Sequence, residues 1–150
     1  MGGLTIGIVI PARNEEAHIG KVLETLPEFV DHAIVIDDGS TDATYSIAKA
    51  TVSSAQVTVL QTDGVGVGAA IDVGHQHLLK TIEHPFISAV MAGDGQMDPN
   101  DLASILQPIL DGEADHVKGN RMSTSSNIEQ MPKRRTVSYT HLTLPTMRTV

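Results

Sequence analysis

Four short apolar runs, rich in β-branched residues, punctuate the first two-thirds of the chain, at residues 4–10, 33–36, 57–60 and 86–92. Clusters of Gly, Pro, Asp and Asn bound them, which marks buried strands. Between the runs the period changes. Ile19, Val22, Leu23 and Leu26 fall at i, i+3, i+4 and i+7, an amphipathic helix that stops at Pro27. Asn14 is its expected N-cap, with Glu15 and Glu16 in the first turn. A second helix over residues 43–50 is capped by Ser40 or Thr41, and a third carries Ile71, Gly74, Leu78 and Ile82 on one face. A fourth starts with Asp98 as N-cap and Pro99 at the first helical position. Its core face is Leu102, Ile105, Leu106 and Ile109; Pro108 should kink its last turn and Gly112 ends it. Residues 115–118 read as a short fifth strand. Strand and helix alternate four times, so the fold class is α/β, a mostly parallel sheet with helices on both faces.

Composition narrows the chemistry. At 150 residues the chain is one domain's worth, with no apolar run of 18 residues to span a membrane. Its start lacks the basic and apolar segments of a signal peptide, so a cytoplasmic location is expected. There is no cysteine, so any metal must be held by oxygen or by histidine. The seven histidines are scattered, and His75 and His77, two apart on a helix, do not face each other. A net charge of −8 argues against a general nucleic-acid binder. Residues 1–117 hold 17 acids and 4 bases, whereas residues 118–150 hold 1 acid and 6 bases. An acidic body that binds an anion needs a cation, either a metal or that late basic segment.

Each unusual polar cluster follows a strand: residues 14–16, 37–42, 64–68, 94–98 and 119–121. In parallel sheets ligands bind beyond the carboxyl ends of the strands, so five clusters at one edge argue for an active site. Asp94, Gln96 and Asp98 sit on alternate residues of a glycine-rich loop. Such oxygen ligands suit Mg²⁺ or Mn²⁺ bound with a substrate diphosphate. The plainer alternative is a helix cap for Asp98 and a turn for Asp94; it is preferred for Asp98, and metal binding for Asp94. Asp37 and Asp38 can accept hydrogen bonds from a base N–H or a ribose hydroxyl. Arg121 and the Lys133, Arg134, Arg135 cluster suit a phosphorylated second substrate, although a solvated charge run explains the cluster equally well.

Five stretches then occur together in order: Val9-Ile10-Pro11-Ala12-Arg13-Asn14-Glu15-Glu16, Val35-Ile36-Asp37-Asp38-Gly39-Ser40-Thr41-Asp42, Gly64-Val65-Gly66-Val67-Gly68, Gly93-Asp94-Gly95-Gln96-Met97-Asp98-Pro99 and Gly119-Asn120-Arg121. Over residues 4–135 the chain resembles the family 2 glycosyltransferases with the GT-A (Rossmann-like) fold, and most of all the dolichol- and polyprenyl-phosphate sugar transferases. The resemblance implies a UDP- or GDP-linked sugar donor, Mg²⁺ or Mn²⁺, and transfer with inversion to an acceptor such as dolichyl or undecaprenyl phosphate. It implies that Pro11, Ala12, Asn14 and Glu16 line the nucleotide, that Asp38 with Asp37 binds base or ribose, and that Gly66 belongs to the donor loop. Asp94 and Gln96 would be the metal ligands, Arg121 would face phosphate, and Asp94 and Arg121 would form the catalytic pair. A prenyl acceptor implies a peripheral place at the cytoplasmic face of a membrane. Pairing of two copies through exposed apolar surface is a further expectation.

Two departures stand out. Where the family usually has Asp-X-Asp, this chain has Ala92, which removes one carboxylate from the metal neighbourhood. Family members also continue past the basic stretch at residues 131–135 into acceptor-site helices. The expected division is a GT-A domain over residues 1–136, incomplete at its C-terminal end, and an irregular, non-native tail over 137–150 that resembles translated adaptor sequence. Two other functions compete. Gly64-Val65-Gly66-Val67-Gly68-Ala69 matches a dinucleotide fingerprint with Glu83 as its distal acid, the mark of an NAD(P)-dependent oxidoreductase, but it follows the third strand and Glu83 precedes the next one. Ala92 and the chain length suit a non-catalytic nucleotide-sugar-binding module or an inactive fragment.

Overall fold

A computed structural model describes residues 4–119 and 142–147. Arg121, Lys133, Arg134 and Arg135 lie outside the described residues. Strands β1 (Thr5–Ala12), β2 (His32–Asp38), β3 (Gln56–Thr62) and β4 (Phe86–Val90) alternate with helices α1 (Ile19–Glu24), α2 (Thr44–Ala50), α3 (Val67–Thr81) and α4 (Asp101–Leu110). Then come β5 (His116–Gly119) and β6 (Leu142–Met147). The order across the sheet is β3-β2-β1-β4-β6-β5, with β1 to β4 parallel and β6 antiparallel to both its neighbours. The α/β reading therefore holds, with a mostly parallel sheet.

One expectation is corrected. Residues 142–147, expected to be irregular, form a strand. The sequence Leu142-Thr143-Leu144-Pro145-Thr146-Met147 alternates in polarity over too few positions to announce one. The unpaired edge of β4 is itself a template for any extended segment, and β6 takes it at Phe86 and Ile87.

The helices divide unequally between the two faces. On one, Ile6, Ile8 and Ile10 of β1 meet Ile19, Val22 and Leu23 of α1, Ala48 of α2 and Leu102, Leu106 and Ile109 of α4. On the other, Val9, Ile34 and Ile36 meet Ala70 and Leu78 of α3. The face expected for α3 is shifted slightly: Ala70, Gly74 and Leu78 are buried, while Ile71 is only half-buried. This second face is tightly interlocked, because a Cβ on Gly7 would stand 2.7 Å from Leu78 Cδ2, and one on Gly74 would press into the Val9 side chain.

Buried Ser88 of β4 also faces α3, where its Oγ lies 2.6 Å from His75 Nδ1. Burial holds the His75 pKa below the ordinary 6.5, with the Asp72 charge pulling the other way. The unfolded chain therefore takes up this proton more readily than the folded one, and stability falls as pH drops below about 6.5. Melting temperatures measured from pH 7.5 to 5 should decline for the wild type. His75→Gln keeps a polar partner for Ser88 but cannot titrate, and should decline less over that range.

Candidate active site at the carboxyl edge of the sheet

The strand register assembles the site. Ala12 is in register with Asp37, Asp37 with Gln61, and Asp38 with Thr62. Beyond β4 the chain keeps its hold on β1, as Met91 N–H donates to the Val9 carbonyl and Gly93 N–H to the Pro11 carbonyl, at 3.2 Å. A Cβ at Gly93 would meet Ala12 Cβ at 3.1 Å, so the lack of a side chain lets the Asp94 turn lie against the end of β1. The loops after β1, β2, β3 and β4 thus share one edge, as the strand order requires.

The loops after β1 and β2 are laced together. Asn14 N–H donates to Ser40 Oγ at 2.9 Å, and Asn14 Oδ1 accepts from Thr41 N–H at 2.8 Å. Glu15 N–H donates to Thr44 Oγ1 at 2.8 Å, and the Glu16 carboxylate accepts from Ala43 N–H at 3.0 Å. Asp42 accepts from the N–H and the hydroxyl of Thr44. These bonds replace the expected caps. Asn14 does not cap α1, which begins at Ile19 after His18. Asn14 has a φ of 52° instead, a left-handed conformation that few residues other than Gly and Asn adopt readily. Neither Ser40 nor Thr41 caps α2; Asp42 and, from across the loop, Glu16 do so. Asp98 likewise stands two residues before the N-cap Asn100 and accepts from its N–H at 2.9 Å.

Asn14→Ala should cost roughly 1–2 kcal/mol, because it strands the Thr41 N–H and leaves the left-handed backbone in place. Asn14→Gly relieves the backbone and should cost less; urea denaturation of both variants separates the two contributions.

Asp37 and Asp38 are buried, at 3% and 5% exposure. Asp37 Oδ1 accepts from Ser40 N–H at 3.2 Å, and its Oδ2 takes no hydrogen bond among the described residues. Asp38 accepts three hydrogen bonds: Oδ1 from the Thr62 hydroxyl at 2.6 Å and Val65 N–H at 2.8 Å, and Oδ2 from Gly66 N–H at 2.9 Å. The Thr62 hydroxyl holds the Asp38 pKa below its usual value; burial opposes this, and the two N–H groups and Arg13 add to it. The Asp42 pKa is lowered too, first of all by the Thr44 hydroxyl.

In the turn after β4, Asp94 Oδ1 accepts from Gln96 N–H at 3.0 Å, and Oδ2 takes no hydrogen bond among the described residues. Gly95 turns the chain with a φ of 74°. Ala92 N–H donates to the Met97 sulfur at 3.4 Å, which closes the loop. Among the described residues no three His, Asp or Glu side chains gather into a metal cage. One carboxylate and one amide oxygen are too few to hold a cation alone. They do fit a cation whose other ligands are diphosphate oxygens and water, the usual arrangement for Mg²⁺.

Two residues escaped the sequence reading. Arg13 Nη1 lies 3.8 Å from where a Cβ on Gly64 would stand, which brings a guanidinium to the acidic edge. Its scarcity was the available signal, since it is one of four Lys or Arg in residues 1–117. Thr62 pairs with Asp38 in the strand register, which sequence does not display.

A mostly parallel sheet whose carboxyl edge carries polar loops is the ligand-binding arrangement of doubly wound α/β folds. The model of the family described as Glycosyl transferase family 2 matches residues 7–149, and the chain belongs to that family. It is 30% identical, over 88% of this chain and 58% of the relative, to UDP-N-acetylglucosamine–dolichyl-phosphate N-acetylglucosaminyltransferase of Methanococcus voltae. It is also 30% identical to the polyprenol monophosphomannose synthase of Mycolicibacterium smegmatis, over 87% of this chain and 50% of that one. Among solved structures it resembles glucosyl-3-phosphoglycerate synthase from Mycobacterium tuberculosis in complex with Mn²⁺, UDP-glucose and phosphoglyceric acid. The TM-score is 0.60 at 30% identity, covering 81% of this chain and 45% of that one. The chain spans about half the length of the curated relatives it matches. No helix among the described residues is long and apolar enough to cross a membrane.

Proposed function

We propose that residues 1–136 form the donor-binding part of an inverting glycosyltransferase that moves a sugar from a UDP- or GDP-linked donor to polyprenyl phosphate, at the cytoplasmic face of a membrane. The observation that carries this reading is the register of β1, β2 and β4. It sets the Asp94 turn beside Pro11 and Ala12, and those beside Asp37. Asp37 Oδ2 is available to a ribose hydroxyl or base N–H, with Pro11 and Ala12 beside it. Asn14 and Glu16 serve the site by lacing its two loops. Asp94, with Gln96, would hold Mg²⁺ or Mn²⁺ on the diphosphate. The cation, when bound, stabilises the charge that develops on the departing diphosphate. Arg13, and Arg121 from the late basic segment, oppose the remaining negative charge.

An oxygen of the acceptor phosphate attacks the anomeric carbon as the bond from that carbon to the donor diphosphate breaks. The electron pair leaves with the nucleoside diphosphate. A phosphate acceptor is already anionic, so the step needs no general base. The polyprenyl-phosphate sugar transferases among the relatives support this acceptor class. The dinucleotide alternative loses its basis, because a phosphate cradle needs free loop N–H groups and those of Val65 and Gly66 are given to Asp38.

The test is nucleotide release from UDP-glucose, UDP-N-acetylglucosamine and GDP-mannose, with undecaprenyl phosphate and Mn²⁺. Metal-dependent release with one donor supports the proposal. Binding without release supports the non-catalytic nucleotide-sugar module, and neither binding nor release contradicts both.

A further inference from the structure

Strand β3 ends the sheet and pairs only with β2, so one side of its backbone has no strand partner among the described residues. Such an edge is a template for a further strand, and proteins that stay monomeric blunt it with charge, proline or a bulge. None of these is present on β3. Residues 50–62 hold no charged residue and no proline, and the register with β2 runs unbroken from Gln56 to Thr62. The rest of the body differs, since residues 1–117 hold 17 acids and 4 bases. Val57 and Val59 are only half-buried on the face that α2 covers, and Val52 is 86% exposed beside them. The three valines line a groove of about 410 Å³ between α2 and the edge.

We propose that β3 pairs with β3 of a second copy, antiparallel about a two-fold axis, and joins two six-stranded sheets into one. The proposal stands apart from the donor-site reading. Charge selects this occupant. Two copies carry the same negative charge and repel over most of their surface, so they approach where each is neutral, and β3 is such a strip. With the axis at Val59, the middle residue of Gln56–Thr62, Val59 meets Val59, Val57 meets Gln61 and Thr58 meets Leu60 across the interface. Residues directly opposite each other share a face, so the valines of both copies stay on the α2 side and close the groove. The same axis brings the carboxyl end of one β3, with exposed Asp63, to the amino end of the other, where α2 ends and exposed Lys49 stands. Lys49 makes no ion pair among the described residues, and its ammonium lies 5.8 Å from the Tyr45 ring centroid. One pair of opposite charges then forms on each side of the axis. The carboxyl edges of the two sheets point in opposite directions, so both candidate active sites stay open.

Sedimentation velocity over a wide range of protein concentration tests this. The wild type should pass from monomer to dimer in the micromolar range and stop there, because a two-fold contact is closed. Val59→Lys sets two ammonium groups directly opposite at the axis and should leave only monomer. Lys49→Glu and Asp63→Lys should each weaken the dimer about 3–30-fold, since an exposed ion pair is lost twice. The double variant Lys49→Glu/Asp63→Lys reverses both charges and should recover the wild-type affinity. Hydrogen exchange of the β3 amides should slow as the concentration of the wild type rises, and not in Val59→Lys.

A wild type that stays monomeric at every concentration overturns the proposal; protected β3 amides in that monomer would mean that another segment of the chain lies on the edge. A dimer that survives Val59→Lys and ignores both charge reversals overturns it too, because its interface lies elsewhere. Open-ended assembly also overturns it, since a closed pair cannot grow. Should Val59→Lys fail to fold, the charge reversals, on exposed residues, decide alone. Nucleotide titration is a separate measurement, so failure here leaves the donor site untouched.

Discussion

Asp94→Ala should abolish the metal-dependent part of nucleotide binding and lower sugar transfer by at least about 100-fold, the scale of losing the protein's hold on a catalytic cation. The expectation is large because nothing nearby can substitute. Ala92 stands where the family resemblance calls for a second carboxylate, and no other cluster of His, Asp or Glu among the described residues is arranged to hold a metal. Asp98 is tied to its own turn through Asn100 N–H. The fold should hardly notice the change. Asp94 accepts one hydrogen bond, an exposed one from Gln96 N–H, so its removal should cost about 0.5–1 kcal/mol. Calorimetry with and without Mn²⁺, beside a thermal melt, separates the two effects. The reverse change is informative as well: Ala92→Asp adds a carboxylate near the turn and should tighten Mn²⁺-dependent binding. Equal metal dependence in the wild type and Asp94→Ala would mean that the cation sits elsewhere.

Gly74→Ala should destabilise the domain by about 2–3 kcal/mol, a cost typical of overpacking a core. Helix propensity alone argues for the opposite sign, since alanine in a helix interior is favoured over glycine by about 1 kcal/mol. Packing should win here. A Cβ on Gly74 would lie 2.9 Å from Val9 Cγ2 and closer still to Cγ1, and Val9 is fully buried in the central strand, with no room to move. The melting temperature should drop by roughly 5–10 °C. Gly68 is the control: it lies in the same helix, where a Cβ would meet nothing within 4 Å, and Gly68→Ala should be neutral or stabilise by a few tenths of a kcal/mol, up to about 1 kcal/mol. Adding Val9→Ala to Gly74→Ala should return part of the loss, so that the pair costs less than the sum of its members. A Gly74→Ala protein as stable as the wild type would mean that α3 does not approach β1 this closely.

Both results depend on features that sequence displays unevenly. The four strand–helix units were legible because burial follows a period, two in strands and near 3.6 in helices, and a period needs only neighbouring residues. The convergence of polar clusters on one edge was legible for a related reason, since parallel strands end on the same side. Helix caps were not. Asn14, Ser40, Thr41 and Asp98 are all good local cappers, but three of them are used across loops that lie 26 to 27 residues apart in sequence, and the fourth closes a turn upstream of its helix. Asp38 is the sharpest case. Its residue type and its place after a strand suggest a ligand, and only the register with Thr62 reveals that the carboxylate also holds the loop after β3. Strand β6 was missed for the opposite reason, because its pairing comes from the open edge of β4 and not from its own pattern.

The central claim is a metal-dependent nucleoside diphosphate site at the carboxyl edge of the sheet. The most direct measurement is calorimetric titration of UDP and of GDP into the wild-type chain, each with and without Mn²⁺. Binding of one nucleotide that strengthens by about tenfold or more with Mn²⁺, the gain expected when a cation bridges carboxylate and diphosphate, is the predicted result. Absence of binding by either nucleotide in the presence of Mn²⁺ would contradict the account.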